Sequence, residues 1–360
     1  MHDPIHAPIP VSPAAWDSFI TNAGKDWESF VLTVDGTVVL MPCMTFVLFL
    51  HVTDDAGLHD FYRRCREALG DRITHYQADY MKTFRRLSDQ GNAKIDAKVD
   101  SWFTVPPKKP NAYYYLRMSD GDPDQNAPAS QIALHIMRRP AEYWQTIESE
   151  ERQERREAVE AKRYVRPLLA SWLRVTLPLD HPLADPAVFC DWVLDFSLVR
   201  SSLPFSGYAG YAINPVYEAY PPRCKHLLSP VLRRFPGFDW TCGPVIPHML
   251  RYDRTIDDFV PLVKRVSWLT LVGDRSLAVL GGREHFRVEI EKQPGVSVRK
   301  LEHALAIQAG MHPQFVDIEA APPPAQYTSV ARSLRRIRMD PGNVNPWHTQ
   351  EGKAWLDAFD

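Results

Sequence analysis

The hydrophobic positions of the chain follow two periods, one typical of strands and one typical of helices. Residues 44–52 form a continuous apolar run of strand-favouring types, which predicts a buried strand. Asp55 is the candidate N-cap of the helix that follows, and Gly70 is its stop signal. The apolar residues of that helix recur with the spacing of one helical face; they are Leu58, Phe61, Tyr62, Cys65, Ala68 and Leu69.

Turn residues divide the rest of the first half into short elements. Asp35 and Gly36 separate two strand-like runs and predict a tight hairpin. Two more strands are predicted at 113–118 and 131–137, and the segment between them is an acidic loop, SDGDPDQNAPAS. Residues 148–166 interleave charges of both signs at high density, which predicts a solvated helix that connects two parts of the chain.

The second half shows the same two periods, with Pro and Gly at the boundaries. Asp185 and Pro186 predict a capped helix start, and the helix at 187–199 is apolar on nearly every side, which predicts burial. A last amphipathic helix follows from the spacing of Tyr327, Val330, Ala331, Leu334 and Ile337. The other predicted elements are a short helix at 258–266 and strands at 168–177, 208–213, 268–272, 286–290, 296–301 and 304–308.

The irregular alternation of helices and strands predicts an α+β fold with mostly antiparallel sheets flanked by helices. Both halves open with a strand, a turn, a long helix and another strand, which leaves open an internal duplication into two related α/β units. The predicted organisation is an N-terminal α+β unit at 1–147, a charged helical connector at 148–166 and a C-terminal α+β unit at 167–360.

Composition narrows the class of protein. The chain has 360 residues, of which 45% are hydrophobic and 24% charged, as in ordinary globular proteins. Its net charge of −2 gives no overall field for nucleic acid or for anionic membranes. The first residues lack the pattern of a secretory signal, and the apolar run at 38–52 is too short for a membrane helix. Five scattered cysteines without a CxxC pair predict reduced thiols in a cytoplasmic protein.

Candidate catalytic residues are few. Asp96 and Lys98 fit the D-x-K end of a restriction-type nuclease motif, but the further carboxylate that would hold a divalent metal is not at a suitable spacing. A metal-dependent nuclease that uses these two residues is the alternative from the enzyme class. Cys224 and His226 lie almost adjacent in sequence, and no third group orients them as a nucleophile and its base.

Acidic clusters are better explained by solvation and capping than by metal binding. Asp257 and Asp258, with Asp253 nearby, are suited to cap the helix predicted after them. The loop that contains Asp120 and Asp122 lacks the glycine and the terminal glutamate of a calcium loop. No metal and no cofactor is therefore predicted.

Three segments carry a resemblance to a known family. They are GYAGYAIN at 207–214, RRFPGFD at 233–239 and WLTLVGDRSLAVLGG at 268–282. In this order and spacing they resemble the TsiV-type immunity proteins of bacterial type VI secretion systems. The similarity continues through 304–317, through 327–338 and to Trp355. The chain departs from the family pattern at GMHPQF, residues 310–315, and in the long charged helix after Glu148.

The resemblance implies a protein that acts by binding and has no catalytic activity. Such proteins bind a cognate toxin made in the same cell and block it. The toxin is often a restriction-endonuclease-like DNase that acts in the cytoplasm. A structural component of a secretion apparatus is a further alternative. Direct contact with nucleic acid or membrane is not expected.

Two hypotheses describe how the toxin would be bound. In the first, carboxylates occupy the basic cleft in which a nuclease holds phosphate. The first candidates are Asp120, Asp122 and Asp124 in the acidic loop, and the second candidates are Asp54 and Asp55. In the rival hypothesis, exposed aromatic residues anchor the complex by shape. The candidate anchors are Tyr208, Tyr211, Tyr217 and Tyr220.

Overall fold

The computed structural model describes residues 11–50, 54–78, 81–104, 114–121, 132–138, 171–201, 204–213, 225–239, 250–253, 258–339 and 354–360. Within these ranges the α-helices are α1 (Pro13–Asn22), α2 (Asp55–Leu69), α3 (Asp89–Thr104), α4 (Pro186–Leu194), α5 (Ser197–Ser201), α6 (Lys225–Arg234), α7 (Asp274–Val279), α8 (Arg283–Glu291) and α9 (Ala325–Leu334). The strands are β1 (Leu32–Val34), β2 (Thr37–Leu40), β3 (Pro42–Leu50), β4 (His75–Ala78), β5 (Arg85–Arg86), β6 (Tyr114–Ser119), β7 (Ala133–Arg138), β8 (Ser171–Pro178), β9 (Pro204–Ile213), β10 (Leu250–Asp253), β11 (Asp258–Pro261), β12 (Leu269–Gly273), β13 (Val296–Lys300) and β14 (Ala304–Ala309).

A ten-stranded sheet organises these elements. Its strand order is β13-β14-β12-β9-β3-β8-β7-β6-β4-β5, and the paired neighbours in it run antiparallel. All nine residues of β3 are buried, as the apolar run predicted, so both faces of the sheet are covered at its centre. The predicted α+β class with an antiparallel sheet and flanking helices is confirmed.

The two faces of the sheet pack against different elements. Phe46 points to the first face, where its ring lies 6.3 Å from that of Phe196, and Phe196 also contacts Phe61 of α2. The neighbouring Val47 and Phe49 belong to a second cluster with side chains from α1, α6 and the C-terminal segment. Alternation along β3 therefore separates two apolar cores, because successive side chains of a strand point to opposite faces.

The two predicted units share this one sheet. Strand β3, from the first unit, pairs with β8 on one side and with β9 on the other, and both of these belong to the second unit. The proposed division at 147 and 167, and the duplication, stay predictions. The predicted connector at 148–166 lies outside the described residues.

Two secondary-structure predictions are wrong for identifiable reasons. Residues 286–290 form part of helix α8 instead of a strand. Phe286 and Ile290 are buried on one helical face, whereas the intervening Val288 is exposed. The alternation of apolar and charged residues in the sequence had the period of a strand, and this caused the wrong prediction. Ion pairs from Arg287 to Glu284 and Glu291 match the helical spacing.

The second error concerns residues 258–266. They begin as strand β11, which pairs with β10, instead of forming a helix. Pro261 has no amide hydrogen to donate within a helix, and the neighbouring Val260 and Val263 are β-branched. The long helix predicted at 187–199 is also divided, into α4 and α5. The hairpin at Asp35–Gly36 is confirmed, and both residues have positive φ, as a tight turn between antiparallel strands requires.

Residues 234–239, Arg-Phe-Pro-Gly-Phe-Asp, join distant parts of the chain. Arg234 binds the Asp317 carboxylate with both Nε and Nη2, the latter at 2.7 Å, and its Nη1 donates to the Ile20 carbonyl oxygen at 2.9 Å. The ring of Phe235 meets that of Phe30 edge-on at 4.8 Å. This short segment therefore connects α1, the strand β1 region and the loop before α9.

The same segment binds the C-terminal part of the protein. Trp355 Nε1 donates to the Phe238 carbonyl oxygen at 3.2 Å. Arg265 Nη2 donates to the Pro236 carbonyl oxygen, and its guanidinium lies 4.1 Å from the centre of the Trp355 ring. Burial lowers the pKa of Arg265 to about 9, so the group is still charged at neutral pH. The aromatic face stabilises this buried cation.

A buried ion pair completes the connection. Lys264 Nζ lies 2.8 Å from Asp239 Oδ1, and only 2% of either side chain is exposed. The backbone amide of Asp239 donates to the Tyr211 carbonyl oxygen at the end of β9. Because separating a buried pair leaves an uncompensated charge, Asp239 and Lys264 fix the segment against both β9 and the chain before β12.

Gly237 is needed where another part of the backbone crosses the segment. A Cβ atom at this position would lie 2.6 Å from the Phe315 carbonyl oxygen and closer still to that of Gln314. Gly210, in β9, has more room, because the nearest atoms to a Cβ there are 3.8 Å away. Gly237 and Gly210 lie in two of the segments that resemble the TsiV family, but only at Gly237 does the structure leave no room for a side chain.

We expect Gly237→Ala to lower the free energy of unfolding by about 3 kcal/mol, because the added methyl group must displace the 314–315 backbone. Gly210→Ala is the matched control and should change stability by less than about 1 kcal/mol. Urea unfolding of both variants measures the difference. Equal stability of the two would contradict the close approach at Gly237.

Candidate functional site

The acidic loop begins at the end of β6. The Ser119 backbone carbonyl accepts a hydrogen bond from Thr74 at 2.9 Å, and the Ser119 hydroxyl donates to the Gly121 carbonyl oxygen. Asp120, between them, is partly exposed. The start of the loop is therefore fixed to the sheet. Asp122 and Asp124 lie outside the described residues, so their part in the predicted site stays a prediction.

Asp54 and Asp55 both have structural partners. Asp54, and not Asp55 as predicted, is the N-cap of α2, and its carboxylate accepts from the Ala56 amide at 3.1 Å. The Asp55 carboxylate binds Arg138 through two hydrogen bonds, of 2.7 and 2.8 Å. Arg138 is only 5% exposed and packs over the Tyr114 ring. Asp55 therefore neutralises a nearly buried guanidinium.

The two acidic groups lie at opposite ends of the sheet. Arg138, the partner of Asp55, pairs with Tyr114 at the start of β6, whereas Asp120 follows Ser119 at the other end of that strand. Five residue steps of strand separate the two ends, which corresponds to roughly 17 Å. Asp55, through its partner Arg138, and Asp120 therefore lie near opposite ends of β6 and do not form one acidic cluster.

Asp96 and Lys98 do not form a catalytic pair in this structure. Both lie on α3, where residues two apart point in different directions. The Asp96 carboxylate accepts from the Tyr62 hydroxyl at 2.5 Å and from Arg66, and burial together with Asp96 raises the pKa of Tyr62. Lys98 lies over the Trp102 ring, 5.9 Å from its centre. Within the described ranges, no group of three or more His, Cys, Asp or Glu residues could hold a metal ion.

The two aromatic anchors of the rival hypothesis that the structure describes, Tyr208 and Tyr211, are buried or partly buried. Tyr208 is 4% exposed and contacts Lys264, so it belongs to the core. Tyr211 is partly buried and stacks on Phe315 with ring centres 4.5 Å apart, and burial raises its pKa. Tyr217 and Tyr220 lie outside the described residues. The described tyrosines hold the structure together and do not form an open aromatic surface.

The remaining candidates give no reactive centre in the parts of the chain that are described. Cys43, Cys65 and Cys190 are free and buried, and burial raises the pKa of each thiol, which disfavours the reactive thiolate. Asp253 and Asp258 lie opposite each other in the β10–β11 hairpin. Cys224, Asp257 and the fifth cysteine, Cys242, lie outside the described residues. Searched within the same ranges, the helices include none with the length and apolar character of a membrane span.

One exposed feature was not predicted as a site. Met311, in the loop after β14, is 79% exposed, more than any other large hydrophobic residue that the structure describes. Its sequence context, a Met between Gly310 and Pro313 in a turn, is the signal that could have indicated it.

Comparison with known proteins gives a match to a family model and a match among solved structures. The model of the TsiV family, described as type VI immunity for VRR-NUC, matches residues 57–358. Among solved structures, the Pseudomonas aeruginosa T6SS protein PA0821 is similar with a TM-score of 0.63 and 18% sequence identity. That alignment covers 90% of this chain and 83% of the other, and at this identity it supports the fold alone. The search of curated proteins found no match.

We expect Asp55→Ala to lower the free energy of unfolding by about 2–3 kcal/mol, because it leaves the Arg138 guanidinium without its acceptor. Asp54→Ala should cost about 1 kcal/mol, as is typical for loss of a helix cap. Thermal and urea unfolding measure both changes. Unchanged stability of Asp55→Ala would show that its carboxylate is available for recognition instead.

Proposed function

We propose that this chain, which belongs to the TsiV family and is a type VI immunity protein, neutralises a VRR-NUC nuclease toxin by binding it and blocking its access to DNA. The observation that carries the proposal is the family match. The matched residues 57–358 include every strand of the large sheet except β3. They also include the acidic loop and the 234–239 segment.

The proposed contact is electrostatic at its first step. A nuclease must hold phosphate, so its cleft is basic, and carboxylates of an inhibitor increase the rate of association with such a surface. We place the acidic loop that begins at Asp120, with Asp122 and Asp124, first in this contact. Its anchored start at the end of β6 supports this choice. Asp54 and Asp55 rank lower, because Asp55 is already engaged by Arg138.

We also propose that the protein has no catalytic role and acts in the cytoplasm, where a nuclease toxin meets DNA. The contacts of Asp96 and Lys98 support a structural role for both residues. The free thiols of Cys43, Cys65 and Cys190 agree with a reducing compartment.

Cell survival tests the function directly. Cells that express a VRR-NUC toxin from the same gene neighbourhood should die, and co-expression of this chain should restore their growth. Purified protein should also form a stable complex with that toxin and prevent cleavage of plasmid DNA. Failure of both rescue and complex formation would contradict the proposal.

We expect the triple replacement of Asp120, Asp122 and Asp124 by Ala to slow association with the toxin about tenfold at low salt and to reduce its salt dependence, since steering charges act mainly on the association rate. Stopped-flow mixing at several salt concentrations measures this. The matched control replaces Glu284, Glu289 and Glu302, three exposed carboxylates elsewhere, by Ala. Equal association rates for the two triple variants would remove the acidic loop from the contact.

Incubation of the purified chain with plasmid DNA and Mg²⁺ or Mn²⁺ tests the enzyme alternative. We expect no cleavage, because Asp96 is bonded to Tyr62 and Arg66 and does not face Lys98. Lys98→Ala should be indistinguishable from the original protein. Cleavage that Lys98→Ala abolishes would establish the nuclease instead, and assembly into large particles on a sizing column would favour a structural component.

A further inference from the structure

The loop at 310–319 is held firmly at its start. Trp268 Nε1 donates to the Gly310 carbonyl oxygen at 3.0 Å, and the Gly310 amide donates to the Gly295 carbonyl oxygen at 2.8 Å. Gln308 Nε2 donates to the Met311 carbonyl oxygen at 3.3 Å. The backbone around Met311 is therefore fixed to Gln308 in β14, to Trp268 just before β12 and to Gly295 just before β13.

The second half of the loop is held by the 234–239 segment and by two aromatic residues from other parts of the chain. Phe315 stacks on Tyr211 and also contacts Phe30, with ring centres 4.7 Å apart. Asp317 receives the guanidinium of Arg234, which holds the pKa of that carboxyl below its usual value. The Gln314 and Phe315 carbonyls lie directly against Gly237. These contacts reach the loop from three separate parts of the chain.

Backbone strain shows how strongly these contacts fix the loop. Val316 has a φ of 54°, in the left-handed region that a β-branched residue rarely occupies. Such a conformation persists only where the surroundings impose it, and it is found disproportionately at recognition sites. The contacts of Phe315 and Asp317, on either side of Val316, impose it here.

Met311 is the side chain that this fixed loop presents. It is 79% exposed, so it adds almost nothing to the core. An unbranched thioether adapts to irregular apolar pockets, which makes methionine a good contact residue at a protein interface. A rigid backbone reduces the entropy lost when such a residue is bound. Rigid presentation of an exposed apolar side chain is therefore typical of recognition.

Met311 and Asp120 lie at the same end of the sheet. The paired residues Gln308, Leu269, Ala209, Phe46, Val175, Leu134 and Met118 form one row across seven strands. Asp120 follows Met118 and Met311 follows Gln308 in strands that run in the same direction. Six strand spacings give a separation of about 29 Å. A protein interface of standard size, about 800 Å² per partner, has this width.

We propose that Met311 is an apolar anchor that inserts into a pocket on the nuclease toxin while Asp120, at the start of the acidic loop, contacts its basic cleft. The inference rests on the proposed function and assigns a second contact to the same partner. It commits to the toxin as occupant because Met311 lies at the same end of the sheet as Asp120, which the proposed function already places in the contact. The two contacts have separate roles: charge sets the association rate, and the anchor sets the dissociation rate.

The test compares Met311→Ala with Val288→Ala, an exposed apolar residue on α8. We expect Met311→Ala to raise the dissociation rate about 30-fold, as is typical for loss of an interface anchor, with the salt dependence of association unchanged. Val288→Ala should bind like the original protein. Both variants should keep the original unfolding temperature, because both side chains are exposed. Surface plasmon resonance with the purified toxin measures the rates.

The outcomes separate the two proposals. If the original protein does not bind the toxin, the proposed function fails whatever Met311 does. If it binds, and Met311→Ala dissociates at the original rate, the anchor is wrong and the proposed function stands. Self-association that depends on Met311, seen by analytical ultracentrifugation, would make a second copy of this chain the occupant and would also overturn the anchor. Met311→Asp, which adds a charge to the pocket contact, should dissociate faster still.

Discussion

The structure depends on six consecutive residues, 234–239, that contact several distant segments at once. Arg234 donates to the Asp317 carboxylate, the carbonyl oxygens of Pro236 and Phe238 accept from Arg265 and Trp355, and Asp239 forms an ion pair with Lys264. Since the last of these is a buried ion pair, movement of the segment would expose or separate two charges. The tail, the loop at 310–319 and the end of β9 are therefore fixed together, and none can shift alone.

This constraint changes the meaning of the segments that resemble the TsiV family. Their glycines and aromatic residues suggested a binding surface, but Tyr208, Gly237 and Trp268 are all engaged in packing or close backbone contact. The segments form a framework, and the proposed recognition uses the groups that this framework presents. Met311 and the acidic loop are such presented groups, one apolar and one charged, at one end of the same sheet.

The parts of the fold that the sequence predicted are those determined by local burial patterns. Strand β3 and helix α2 have long apolar runs with one clear period, and both were placed correctly. Apolar residues at 286, 288 and 290 alternate with the period of a strand although only 286 and 290 are buried, so α8 was missed. The candidate site was less predictable still: Asp55 is paired with Arg138, 83 residues away, and no local pattern contains such a contact.

The proposed recognition at the strand ends is consistent with how the sheet is covered. Every residue of β3 and of β8 is buried, so neither face of the sheet is open at its centre. Strands β6, β9 and β14 finish at the same end, and the chain that follows each of them can change without disturbing the ladder. A near-neutral chain, with a net charge of −2, can still present a local acidic contact there, because charge interactions beyond about 8–10 Å are screened at physiological salt. An inhibitor built in this way can acquire a new partner through its loops while residues 234–239 hold the loop at 310–319 and the end of β9 in place.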